Sequence, residues 1–128
     1  MYPSLAILLV EDDVRVAMIM EDALSADGFA VLTAPDGDAA LQIMEANEGA
    51  IGALVSDIRL PGSRDGWEVA RQVRRIRPDM PVVYMSGDSA HGWRAHGVPD
   101  SVMLQKPFVT GRLIAALSTL GATKGGTA

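Results

Sequence analysis

Residues 53–62 read ALVSDIRLPG. An apolar run ends in a carboxylate, Asp57, and Pro61 and Gly62 then turn the chain away. Short apolar runs bounded by turn residues read as buried strands. Aspartate is among the residues least often buried. An acid at the tip of a core strand is therefore the feature that any fold for this chain must explain.

The flanking sequence repeats the same kind of pattern. LAILLV (5–10), FAVLTA (29–34), IGALVS (51–56), PVVYMS (81–86) and SVMLQ (101–105) read as five strands. Ala17, Met20 and Leu24 recur at helical spacing between Val14 and Ala26, and Gly28 stops that helix. Asp36 is placed to cap a second helix that runs to Ala46. Val69, Val73 and Ile76 mark a third, from Trp67 to Ile76, and Leu113, Leu117 and Leu120 mark a last one. Alternating strands and helices predict an α/β fold, a flavodoxin-like doubly wound five-stranded parallel sheet of order 2-1-3-4-5. Both faces of each strand are then covered, which explains apolar runs without alternation. One stretch fits poorly. GDSAHGWRAHGVPD, after Ser86, holds Gly87, Gly92, Gly97 and Pro99 and no apolar stripe. Each interior glycine weakens a helix by about 1 kcal/mol relative to alanine. Of the five helices, the fourth is expected to be short or mobile.

Composition narrows the function. The 128 residues fit one domain, with residues 1–121 folded and 122–128 a flexible Gly- and Thr-rich tail. Hydrophobic residues make up 48%, enough to build a core. The net charge is −5 and the eleven Lys and Arg form no dense run, which argues against nucleic acid or an anionic membrane as partner. With no cysteine, disulfides, thiolate metal sites and thiol nucleophiles are excluded. The run Leu5–Val10 is far too short to span a membrane. MYPSLAILLVEDD lacks the basic start and cleavage site of a secretory signal, so a cytoplasmic location is expected.

In open parallel sheets, ligands bind beyond the carboxyl ends of the strands. There this chain carries Glu11, Asp12 and Asp13 after strand one, Asp57 after strand three, Ser86 and Gly87 after strand four, and Lys106 and Pro107 after strand five. Close carboxylates repel and raise one another's pKa. A hard divalent cation is the usual remedy, and a phosphoryl group is a common reason for such a cation. Lys106 adds a fixed positive charge, Ser86 a hydroxyl, and Gly87 leaves the approach open. A carboxylate beside a metal, a lysine and a hydroxyl is a nucleophile toward phosphorus. Other residues receive plainer readings. Asp13 is expected to cap the first helix. His91 and His96 are expected to be exposed without a role, Trp67 to pack, and Met18, Met20, Met44 and Met85 to fill the core.

VEDD (10–13), SDIRLPG (56–62), VVYMSG (82–87) and QKPF (105–108) together resemble the signatures of response-regulator receiver domains. The resemblance covers about residues 5 to 120 and is strong because four motifs fall in order, each at a strand end. It implies that Asp57 accepts a phosphoryl group from a histidine kinase or histidine phosphotransfer protein. It implies that Asp12 and Asp57 bind Mg2+ (or Mn2+), with Glu11 acting through water and Arg59 through its backbone carbonyl. Ser86 and Lys106 would bond the phosphoryl oxygens, and the Lys106–Pro107 peptide would be cis. The surface of helix four, strand five and helix five would then control a downstream protein target, from a monomer or a phosphorylation-dependent homodimer. Such a protein is not an enzyme beyond its own phosphoryl transfer and slow dephosphorylation. Both a stand-alone regulator and a hybrid-histidine-kinase module fit.

Three departures stand out. Met103 occupies a position where many receivers carry an aromatic switch residue, so reordering of residues 87–100 is expected to do that work instead. The loop from Pro61 to Gly66 is one residue longer than in many receivers. Arg59 and Asp88 flank the site with opposite charges and are expected to pair across it. Three alternatives stand beside this reading. A degenerate receiver would bind partners without phosphorylation. A small Mg-dependent phosphatase would carry its nucleophile in a DxD pattern after strand one, where this chain reads EDD. A flavodoxin-like cofactor binder would need a phosphate-cradling loop there, which acids would repel.

Overall fold

The order of elements follows the alternation read from the sequence. The structure, a computed structural model, describes residues 5–88 and 90–122. The strands are β1 (Ala6–Val10), β2 (Ala30–Ala34), β3 (Ile51–Asp57), β4 (Val82–Ser86) and β5 (Ser101–Gln105). The helices are α1 (Val14–Ala26), α2 (Gly37–Ala46), α3 (Gly66–Ile76), α4 (Trp93–His96) and α5 (Thr110–Thr119). Single 3-10 turns precede β3 (Glu48–Ala50) and α4 (Ala90–Gly92). The sheet is parallel and ordered β2-β1-β3-β4-β5.

Local chemistry sets the helix starts. Asp13 caps α1 by accepting from the N–H groups of Arg15 and Val16. Asp36 caps α2 through Ala39 N–H, and Asp65 caps α3 through Glu68 N–H. Each satisfies backbone donors that the first helical turn leaves unpaired. The longer loop after Pro61 thus ends in a cap.

Strand residues alternate between two cores. Leu8, Val10, Leu54, Val82 and Tyr84 pack with α2 and α3, while Ile7, Leu9, Val55, Val83 and Met85 pack with α1 and α5. The central strands β1, β3 and β4 are buried on both faces, as their unbroken apolar runs predict. β2 differs from that expectation. It lies at the sheet edge and only Ala34 is buried. Met18 also departs from its expected place in the core. It is 58% exposed, beside exposed Val14 and Ile19 on the outer face of α1. Methionine is apolar enough to read as core, but only the helix's rotation decides which way it points. Met20, Met44 and Met85 are buried. Ala122 N–H donates to Leu117 O (2.9 Å) and the residue packs on the α5 core, so the packed chain runs one residue past the expected boundary. The rest of the proposed tail, residues 123–128, lies outside the described residues.

Candidate phosphoacceptor site

Backbone bonds carry the sheet register past the strand ends. Glu11 N–H donates to Ala34 O (3.0 Å), Ile58 N–H to Met85 O (3.0 Å) and Lys106 N–H to Ser86 O (2.8 Å). These bonds tie the exit of β1 to the end of β2, and the exits of β3 and β5 to the end of β4, where the polar residues begin. Asp57 is the last residue of β3, opposite Met85 of β4, so it inherits the rigidity of a central strand. Ser56 O–H donates to the Asp57 carbonyl (2.8 Å).

Lys106 joins the two acids that are most covered. Its Nζ donates to Glu11 Oε1 (2.8 Å) and to Asp57 Oδ2 (2.9 Å). The Glu11 side chain is 2% exposed, that of Asp57 13% and that of Lys106 28%. Burial pushes the Glu11 carboxyl above its ordinary pKa, against the hydrogen bonds from Lys106 and from Asp13 N–H. Burial works the other way on Lys106, but its bonds to Glu11 and Asp57 outweigh that and hold its pKa above the usual lysine value. The ammonium is thus held charged between two carboxylates. The Lys106–Pro107 peptide is cis.

Glu11, Asp12 and Asp57 each offer an oxygen within 4.8 Å of the others. This donor set is all carboxylate oxygen, without nitrogen or sulfur, and suits a hard cation such as Mg2+. Asp12 is exposed and so accessible from solvent. Asp13 sits apart from the cluster as a helix cap.

Ser86 is buried at the end of β4, and its Oγ accepts from Asp88 N–H (3.2 Å). Gly87 is exposed, with open space where a Cβ would stand. Over the mouth of the site, Arg59 grips Asp88 with a two-pronged contact, Nε to Oδ1 (3.1 Å) and a terminal nitrogen to Oδ2 (2.7 Å). These side chains are 76% and 53% exposed. Met103 is half-buried against the α2–α3 core, a layer below the strand ends and opposite Tyr84. Among the residues of 87–100 that the structure describes, helix is confined to one 3-10 turn and the four residues of α4. His91 and His96 are exposed, and Trp67 is buried with its ring 4.7 Å from that of Tyr84.

Two residues beneath the site, outside its charged cluster, lack an obvious sequence signal. Gly66, the first residue of α3, donates N–H to Ile58 O (2.8 Å). A Cβ there would collide with the Asp57 carbonyl and stand 2.8 Å from Ile58 Cα. Its signal was a glycine at a helix start, where small or capping residues are ordinary. Tyr84 reads from sequence as one more apolar strand residue, yet its hydroxyl accepts from Val98 N–H (3.0 Å).

Known proteins bear on this arrangement. Residues 7–118 match the family described as response regulator receiver domain. The chain is 36% identical over 124 residues to the transcriptional regulatory protein PrrA of Mycobacterium tuberculosis, covering 95% of this chain and 52% of that protein. It is 35% identical over 107 residues to the sensor kinase CckA of Brucella abortus, covering 82% of this chain and 11% of that protein. The chain thus spans about half the length, or less, of these curated relatives. Among solved structures, a response regulator receiver protein from Sinorhizobium medicae WSM419 superposes with a TM-score of 0.87 at 41% identity, covering 91% of this chain and 94% of that one. The receiver domain of the hybrid histidine kinase CckA gives 0.76 at 32%, covering 90% and 97%. With four signature motifs at four strand ends and a family match across nearly the whole folded unit, this chain belongs to the response regulator receiver domains of two-component signalling.

Proposed function

We propose that this domain is a phosphorylation-dependent switch that takes a phosphoryl group onto Asp57 from a histidine kinase or histidine phosphotransfer protein. The observation that carries the reading is the bridge from Lys106 Nζ to Glu11 and Asp57, three residues far apart in sequence. In the transfer, an Asp57 carboxylate oxygen forms a bond to phosphorus as the donor's P–N bond breaks. The imidazole leaves with the electron pair and takes a proton from water. Lys106 and the Ser86 hydroxyl donate to the phosphoryl oxygens, where charge must be stabilised. Asp12, Asp57 and the Arg59 carbonyl would hold Mg2+ or Mn2+, with Glu11 acting through water. When bound, that ion neutralises phosphoryl charge.

Phosphorylation adds roughly −1.5 to −2 charges and new acceptor oxygens. Ser86 and Lys106 then draw on β4 and β5 and bias the surface formed by α4, β5 and α5, which engages a protein target. A protein donor is supported by apolar surface near the site. A groove of about 250 Å3 beside Lys106 is lined by Val16, Ile19, Met20, Pro107 and Phe108. Val14, Met18 and Ile19 of α1 are exposed. Such patches mark contacts with proteins. Among the described residues no helix is long and apolar enough to cross a membrane, and the domain is assigned to the cytoplasm, where its donors act.

The test is direct. Incubation with acetyl phosphate and Mg2+ adds the mass of one phosphoryl group to the wild type and none to Asp57→Ala. No gain in the wild type overturns the reading in favour of a receiver that binds partners without phosphorylation.

A further inference from the structure

From Tyr84, two residues before Ser86 on β4, neutral hydrogen bonds lead to α4. Tyr84 and Ser86 are two residues apart on β4 and so face the same side of the sheet. The Tyr84 hydroxyl accepts from Val98 N–H (3.0 Å). The Val98 carbonyl accepts from Ser101 O–H (2.6 Å), and Ser101 Oγ accepts from Trp93 Nε1–H (2.9 Å). The path runs from a fully buried strand residue to an indole that is 37% exposed on α4. Gly97 makes the last step possible. A Cβ there would collide with Trp93 Cδ1 and stand 2.7 Å from the Trp93 carbonyl. Arg74 of α3 fastens the same stretch to the segment before β4, donating to Pro99 O (2.7 Å) and Met80 O (2.7 Å). Asp100 follows with φ of 56°, a left-handed turn that brings Ser101 back into β5.

Met103, across from Tyr84 on β5, offers no hydroxyl and no ring. Tyr84 has both. We infer that Tyr84 is the residue that carries the state of the Asp57 site to the α4–β5 face, through Val98 and Ser101 to Trp93. The inference rests on the receiver reading and deepens it. When Ser86 turns to a phosphoryl oxygen, the end of β4 shifts and the Tyr84 hydroxyl moves against Val98 N–H. The clasp at Ser101 then loosens and the Trp93 indole is released to a partner. Neutral hydrogen bonds suit this task, since each is worth little net and one can exchange for another.

The experiment uses the full chain, with the mass gain at Asp57 followed beside amide and indole exchange by NMR. The Trp93 indole signal is identified by Trp93→Phe. In the wild type, phosphorylation is expected to raise exchange at Val98 N–H and Trp93 Nε1–H by about three- to tenfold, the equivalent of one neutral hydrogen bond. Tyr84→Phe is expected to gain the same phosphoryl mass and to lose the response at both positions. Ser101→Ala, which cuts the chain later, is expected to keep the Val98 response and lose that of Trp93. Full mass gain with unchanged Trp93 exchange in the wild type overturns the inference alone. So does a wild-type response in Tyr84→Phe. Absence of mass gain in the wild type overturns the underlying reading as well.

Discussion

Asp57 and Tyr84 stand on adjacent strands, and their polar neighbours are of opposite kinds. Around Asp57 the contacts are charged, with Lys106 held between two carboxylates at the end of the sheet. Around Tyr84 they are neutral, a hydroxyl, two backbone groups, a serine and an indole, reaching the buried core. The difference follows from depth. A charge is tolerable only where partners and water can reach it, whereas a hydroxyl needs one good hydrogen bond. Exposure also grades the charges themselves. The Lys106 pairs are largely covered, while the Arg59–Asp88 pair is open to solvent.

The largest break in this contrast comes from the backbone beneath the charged group. Gly66→Ala forces a methyl group against the Asp57 carbonyl and Ile58 Cα, both backbone atoms that cannot rotate away. It is expected to cost about 3 kcal/mol, read as a lower urea midpoint. Next is Lys106→Ala, which leaves the Glu11 carboxylate covered without its cation. A loss of about 1–3 kcal/mol is expected, and stability unchanged within error would show the inner cluster to be no tighter than a surface pair.

The neutral assembly is probed by alkali. Burial holds the Tyr84 phenol above its ordinary pKa, outweighing the Val98 N–H bond that favours the phenolate. A raised value in the fold means that the neutral form is the stabilised one. Its contribution is complete below the unfolded value of about 10 and is lost as pH rises through the folded value. Lys106, also raised, acts in the same window. Between about pH 9 and pH 11, Tyr84→Phe is expected to flatten the fall of the urea midpoint relative to wild type. An equally steep fall in Tyr84→Phe would assign the whole effect to other groups. The smallest effect belongs to Arg59→Ala. Opening the pair over the site is expected to shorten the phosphoryl lifetime by no more than about fivefold, because exposed pairs are worth only ~0.2–1 kcal/mol. A lifetime unchanged or lengthened refutes the shielding role.

Much of this was legible because it is local or periodic. The strands and helices follow from runs of apolar residues, the caps from Asp13 and Asp36, and the weak fourth helix from its glycines. The candidate site residues were legible because each falls at the last residue of a strand or just after it, and parallel strands bring their carboxyl ends together. Edge effects were not legible. FAVLTA looks as apolar as the central strands, but β2 has a neighbour on one side only. Met18 and Met20 are the same residue type two positions apart on one helix, one exposed and one buried.

The sequence by itself determined the fold class, the number and order of elements and the set of polar groups at the sheet edge, since these depend on spacing along the chain. Only the tertiary structure decided which groups meet. Lys106 reaches both Glu11 and Asp57 because the parallel strands β1, β3 and β5 all finish at the same, carboxyl end of the sheet. Gly66 must be glycine because α3 starts against a strand end eight or nine positions earlier in sequence. The hydroxyl of Tyr84 finds Val98 because the chain folds back over β4 after α4. Contacts of this kind depend on distances between elements, and a sequence records those only through the fold.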